Sequence, residues 1–264
     1  MKKLLLTIVL AVSAINVFAC LILFITDGKT VLVANHEDWF ADDAEITFIP
    51  AAGKKFGMVY FDFKSEGTAQ GGMNNAGLFF DGTKTPFAPY KDNEKKEDCK
   101  CYIWKKILEE CATVNEAVRY IDQYKIPEIE DVHILLADKT GNSAVIGVYN
   151  GKLQVHKRNS NYQLLTNFNL SDPGYGTDST CGRFIEATRM LATDSSATIE
   201  NLSKILSHTH QEKFTVYSNI YNLTAGEVYV YNHADFSKKI KIDLRQELMK
   251  GRHSILVNSL FKTK

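Results

Sequence analysis

Two apolar runs, CLILFI at residues 20–25 and VLVANH at 31–36, flank the turn sequence Asp27-Gly28-Lys29. Asp-Gly between such runs is a good hairpin signal, because a tight reversal needs positive φ, which Gly and Asp tolerate. The folded part of the chain therefore starts with antiparallel pairing. Further strands are expected at residues 46–49, 57–63 and 77–81. Trp104, Ile107, Leu108 and Cys111 then recur at helical spacing. Thr113-Val-Asn-Glu116 has the pattern of a capping box, followed by Val114, Ala117, Val118 and Ile121 on one helix face.

A second block of strands follows in VHILLAD, SAVIGVY and KLQVHK, separated by DKTGN and NG turns, with QLLTNF extending the pattern. Helices return at about residues 180–193 and 198–208. TVYSNIYNL and EVYVYNH form a further hairpin across Ala225-Gly226, and KIKIDL adds a strand. Hairpins grouped apart from helix pairs point to two packed antiparallel sheets with helices outside, rather than a doubly wound parallel sheet. No repeat, low-complexity linker or cluster of prolines divides the chain. Its most charged stretch, YKDNEKKEDCK at 90–100, reads as a solvated connection.

The first hairpin is preceded by MKKLLLTIVLAVSAINVFA. Lys2 and Lys3 form a basic start, residues 4–18 are almost entirely apolar, and Val17 and Ala19 suit positions −3 and −1 of a signal-peptidase site. The run is too short, and too soon followed by Asp27, for a good membrane span. Residues 1–19 read as a secretory signal, removed on export to the periplasm or medium, with envelope association left open. Residues 20–264 then suffice for one sizeable core and are too few for two comfortable domains. Lys and Arg total 31, as do Asp and Glu, so the chain has no global field for nucleic acid or anionic lipid.

Cleavage after Ala19 leaves Cys20 first. An α-amino group with a pKa of about 8 beside a thiol of about 8.5 can take the thiol proton, directly or through a water. The thiolate then attacks a carbonyl carbon without a separate histidine. Asp38 in NHEDW returns across the hairpin towards Cys20, and a carboxylate there can hold the α-ammonium; Asn35 and Glu37 share the segment. By spacing alone, a turn residue at a strand end is the better reading of Asp38.

Cys20, NHEDW at 35–39, GGMNNAGLFFDG at 71–82, LLTNF at 164–168, DSTCGRF at 178–184 and TVYSNIYNLTAGEVYVY at 215–231 together resemble the linear-amide C–N hydrolases of the N-terminal-nucleophile class. This family includes choloylglycine hydrolases, penicillin V acylases and acyl-coenzyme A:6-aminopenicillanic acid acyltransferases. The resemblance implies an α+β fold, a four-layer αββα sandwich, in a single domain over residues 20–264. It also implies hydrolysis of a non-peptide amide through a thioester, with acyltransferase activity open to the same chemistry. Cys20 falls on the nucleophile, Asp38 on the carboxylate that contacts it and its amine, Asn167 on the oxyanion asparagine, and Arg183 on the arginine that orients thiol and acid. Two departures stand out. NHEDW replaces the common Asn-x-Asp, so Glu37 or Asp38 could hold the acidic position, with distance favouring Asp38. Ala34 stands where bile-salt and penicillin enzymes often carry arginine, which weighs against those substrates.

Gly71, Gly72 and Gly77 around Met73-Asn74-Asn75 suggest a tight turn near the nucleophile, with Asn74, Asn75 and Phe80 as candidate substrate contacts. Trp39, Phe79, Phe80, Phe87 and Tyr90 could line an acyl pocket or belong to the core. His208-Thr209-His210 with Glu212 lacks metal-site spacing and reads as a solvated helix end. Cys99, Cys101 and Cys111 lie close in sequence, and neither their pairing nor that of Cys181 follows from it. The expected partner is a small-molecule N-acyl amide, with no nucleic acid, cofactor or metal; a homo-oligomer is left open. The rival reading is a lipoprotein acylated at Cys20 and serving as an envelope-anchored binding module, although Val17-Phe18-Ala19 makes a poor lipid box.

Overall fold

The structure is a computed structural model and describes residues 20–91, 96–170 and 181–262. The proposed signal, part of the charged loop and residues 178–180 of DSTCGRF lie outside the described residues.

The first hairpin forms as its sequence predicts. β1 (Leu21–Thr26) and β2 (Val31–Asp38) pair antiparallel, with Ile22 opposite Asn35. Asp27 Oδ1 accepts the main-chain N–H groups of Lys29 and Thr30, and Gly28 supplies φ +85°. β3 (Ala44–Ile49), β4 (Met58–Phe63), β5 (Ala69–Asn74) and β6 (Leu78–Lys84) form a meander. α1 (Ile103–Glu110) and α2 (Val114–Ile121) follow, and α2 carries the Thr113/Glu116 capping box. β7 (Val132–Asp138), β8 (Ser143–Tyr149) and β9 (Lys152–Lys157) extend the meander. β10 (Tyr162–Leu165), α3 (Gly182–Thr193), α4 (Ile199–Thr209), β11 (Thr215–Asn222), β12 (Glu227–Asn232), β13 (Asp235–Asp243), α5 (Leu244–Met249) and β14 (His253–Leu256) complete the described chain.

The strands form two antiparallel sheets, ordered β10-β1-β2-β11-β12-β13 and β14-β3-β4-β5-β6-β7-β8-β9. Three apolar layers make this an αββα sandwich. Ile22, Phe24, Val31 and Val33 meet Ile46, Phe61 and Phe79 between the sheets. Leu21, Leu23, Leu32 and Ala34 pack on the other side against Leu202, Ile205 and Leu206 of α4. Phe80, Leu136 and Ile146 of the larger sheet pack against Trp104 and Ile107 of α1. β1 is buried on both faces, so its sequence is a continuous apolar run instead of an alternating one.

Gly71 and Gly72 are strand residues of β5, not turn residues. A Cβ on Gly72 would lie 2.3 Å from the Val59 carbonyl oxygen, so close approach of β4 and β5 requires glycine there. The turn itself is at Gly77, with φ +88°. Cys99 and Cys101 form a disulfide; Cys20, Cys111 and Cys181 are free thiols.

Candidate active site

Strand alternation decides what surrounds Cys20. Cys20, Ile22 and Phe24 face the space between the sheets, as do Val33, Asn35 and Glu37 on β2. His36 and Asp38 therefore point to the opposite, helix side. Cys20 is buried, and its thiol meets Glu37 Oε1 at 3.4 Å. Asp38 Oδ2 accepts a hydrogen bond from Gln211 Nε2 at 2.7 Å, and Oδ1 accepts one from Thr215 Oγ1. Distance along the hairpin favoured Asp38 as the acid on the thiol; pleat parity instead puts the Glu37 carboxyl there.

Arg183, near the start of α3, ties the pieces together. Its Nη1 donates to the Cys20 carbonyl oxygen at 2.9 Å and lies 3.8 Å from Asp38 Oδ2, and its Nη2 donates to Asn167 Oδ1 at 3.2 Å. Asn167 follows the end of β10, and its Nδ2 donates to the Lys84 carbonyl at 3.0 Å. Cys20, Asp38, Asn167 and Arg183 thus sit in one constellation, drawn from four distant stretches of chain.

Burial pushes the Cys20 thiol pKa well up, reinforced by Glu37 and Asp38, while a main-chain hydrogen bond from Asp38 pulls the other way. The thiol is therefore no standing thiolate. Burial raises Glu37 to about 8, and it raises Asp38 against the pull of Thr215 and Arg183. On the helix side His36 lies between Ser218 Oγ at 2.7 Å and Thr209 Oγ1 at 3.1 Å, and burial lowers its pKa to about 3. This neutral ring fastens β2 to α4 and β11.

A cavity of about 340 Å³ opens onto Cys20, Glu37 and Asp38. Its wall includes Trp39, Tyr102, Trp104 and Ile134, with Glu66 and Glu128 also lining it. Trp39 is the one member of the predicted aromatic set on this wall. Phe79 and Phe80 are core residues on opposite faces of β6, Tyr90 is buried against the helix-side core, and Phe87 is exposed. Phe80 points towards α1, away from the thiol, because it is one residue out of phase with the face that meets β1.

Asn74 and Asn75 are not brought to Cys20. Both line a different cavity, of about 470 Å³, with Gly77, Lys139, Leu223 and Arg245. Asn74 Nδ2 donates to the Leu108 and Cys111 carbonyls, and its Oδ1 accepts from the N–H groups of Ala76 and Leu78. It closes the C-terminal end of α1 onto the β5–β6 turn. Sequence reading also missed Gln211, Thr215 and Asp81. The two-residue period of β6 carries a signal for Asp81, an acid in phase with core Phe79. His208, by contrast, is exposed at the end of α4 and bonds the Lys204 carbonyl.

The profile of the linear amide C–N hydrolases, choloylglycine hydrolase family, matches residues 26–180, more than half the chain. The chain belongs to this family. It is a hydrolase of linear amide bonds, as the resemblance led us to expect. Solved structures repeat its architecture. A variant of conjugated bile acid hydrolase from Clostridium perfringens is 18% identical, with a TM-score of 0.69 over 89% of this chain and 96% of that one. Penicillin V acylase from Agrobacterium tumefaciens is 18% identical, with a TM-score of 0.70 over 92% and 94%. A Caenorhabditis elegans ortholog of N-acylethanolamine-hydrolyzing acid amidase is 16% identical, with a TM-score of 0.60 over 78% and 93%. At such identities the shared feature is the choloylglycine hydrolase fold. Comparison with curated proteins gives no match.

Proposed function

We propose that this choloylglycine-family hydrolase is exported, loses residues 1–19, and cleaves a small N-acyl amide with Cys20 as an N-terminal nucleophile. The observation that carries this reading is the position of Cys20: it directly precedes β1, its thiol lines a cavity, and its carbonyl is held by Arg183. The freed α-amine accepts the thiol proton, and the sulfur attacks the amide carbonyl. The ammonium then protonates the leaving amine, and water cleaves the thioester. Asp38, fixed by Thr215, Gln211 and Arg183, compensates the ammonium charge. Asn167, aimed by Arg183, donates to the tetrahedral oxyanion. The apolar wall of Trp104, Val132 and Ile134 takes the acyl chain. Ala34 belongs to the helix-side core, so no arginine-like group reaches the cavity from that position, and an anionic bile-salt or penicillin substrate is not proposed.

Adding one uncleavable residue before Cys20 tests the reading. The α-amine becomes a peptide nitrogen, so turnover of N-acyl chromogenic amides should vanish while the protein folds. Full activity of the extended protein would refute catalysis by the N-terminal amine. A diacylglyceryl mass on Cys20 would instead support the lipoprotein.

A further inference from the structure

Behind the thiol lies a second acid that the mechanism does not use. Asn35 Nδ2 donates to Glu37 Oε2 at 3.4 Å and to Asp81 Oδ2 at 2.6 Å, so one amide bridges two fully buried carboxyl groups. Asp81 Oδ1 also accepts its neighbour's N–H, from Gly82, at 2.7 Å. Gly71, opposite Asp81 across the ladder, makes room for this acid: a Cβ there would lie 2.4 Å from the Asp81 carboxyl carbon. Among the described residues no Lys or Arg forms an ion pair with Glu37 or Asp81; Arg183 reaches Asp38 instead. Two buried carboxylates without a cation are too costly to keep ionised, so they hold protons. With Oε2 of Glu37 engaged by Asn35, its hydroxyl belongs on Oε1, the oxygen that meets the sulfur.

We infer that Glu37 is a positioning residue that works as a neutral acid, donating a hydrogen bond to the Cys20 thiolate, with Asn35 and Asp81 fixing which oxygen carries the proton. In the resting enzyme the S–H donates to Oε1. When the thiol proton passes to the α-amine, the Glu37 O–H turns to the sulfur and keeps its own proton throughout. A neutral donor stabilises the thiolate, whereas an ionised Glu37 would repel it. The groups facing Glu37 are Cys20 on the β1 side, Asn35 and Asp38 on β2, Asp81 on β6, Tyr217 and Tyr221 on β11, and more remotely Tyr102 beside α1. Burial holds both β11 tyrosines well above their ordinary range, and these phenols remain neutral. Glu37 is therefore the group whose ionisation, at about 8, closes the site on the alkaline side.

This inference rests on Cys20 being the nucleophile. Its test compares wild type with Glu37→Gln, which keeps a neutral donor that cannot ionise. Wild-type kcat/KM should fall about tenfold per pH unit above about pH 8, as for one essential protonated group. Glu37→Gln should retain at least about a tenth of wild-type activity at pH 7 and lose that alkaline limb. A loss of about 10³-fold at pH 7, or an unchanged alkaline limb, would overturn the proposal. Difference infrared spectra between pH 7 and pH 10 on the Asp81→Asn background give a readout independent of turnover and of whether Glu37→Gln folds. A protonated-carboxyl band present at pH 7 and lost at pH 10 is expected; its absence at pH 7 would overturn the assignment. Full activity of Cys20→Ala would defeat the nucleophile reading while leaving the infrared result to stand by itself.

Discussion

The two ends of the smaller sheet carry cavities of similar scale and different chemistry. At the start of β1, about 340 Å³ of space meets buried Cys20 and the buried acids Glu37 and Asp38, beside an arginine that joins Cys20 to Asp38 and Asn167. At the far end of β1, roughly 20 Å away at 3.3 Å per residue, the larger cavity is lined by turn residues and one face of α5, and its buried polar group, Asn74, spends all its hydrogen bonds on main chain. Size is not the reason for proposing the Cys20 end as the reactive one. The reason is its polar groups, which face a cavity and one another without being consumed by the backbone.

That contrast predicts that substitutions at the Cys20 end change turnover and those at the far end change stability. Cys20→Ala should lower kcat by about 10⁴-fold or more with an unchanged melting temperature; measurable turnover near wild type would erase the difference between the ends. Asn167→Ala should lower kcat by about 10²–10³-fold with little change in KM. Near-normal turnover with a lower melting temperature would make Asn167 a structural cap and leave main-chain amides as the oxyanion donors. Asn74→Ala should lower stability by about 2–3 kcal/mol, since it strands buried carbonyl and N–H groups, with kcat retained in the folded protein. A selective loss of kcat there would bring the far cavity into the reaction.

His36 sharpens the comparison on the helix side of β2. Its folded pKa of about 3 lies below the ordinary value of 6.5, so the unfolded chain binds the extra proton first. Its contribution is complete above pH 6.5 and drains away as pH falls towards 3. Urea titrations across that window should show a shallower pH dependence for His36→Gln than for wild type. The smallest effect is expected for Lys139→Ala at the far cavity, which should leave kcat/KM within about twofold.

The sequence made the architecture legible because its strongest signals are local. The Asp27-Gly28 turn, the Thr113/Glu116 box and the Ala225-Gly226 reversal all form where read. Cys20, Asp38, Asn167 and Arg183 could be named together through family likeness, since their meeting depends on sheet order and on the entry of α3, which no local pattern contains. Asn74, Asn75 and Phe80 were drawn to the site by nearness to a motif, yet a turn sends the asparagines to the far end and one step of pleat turns Phe80 away. Glu37 was within reach: once Ile22 pairs with Asn35, antiparallel register brings Cys20 opposite Glu37 and puts both on one face. Gln211 and Thr215 were not, because the connection from α4 to β11 decides that they meet Asp38.

The most direct test of the central claim is the intact mass of the exported protein after brief incubation with an N-acyl amide and rapid acid quenching. The expected result is a chain of residues 20–264 that gains one acyl group, held as a thioester on Cys20 and released by hydroxylamine. An active protein that retains residues 1–19, or one whose Cys20 carries a diacylglyceryl group, would contradict it.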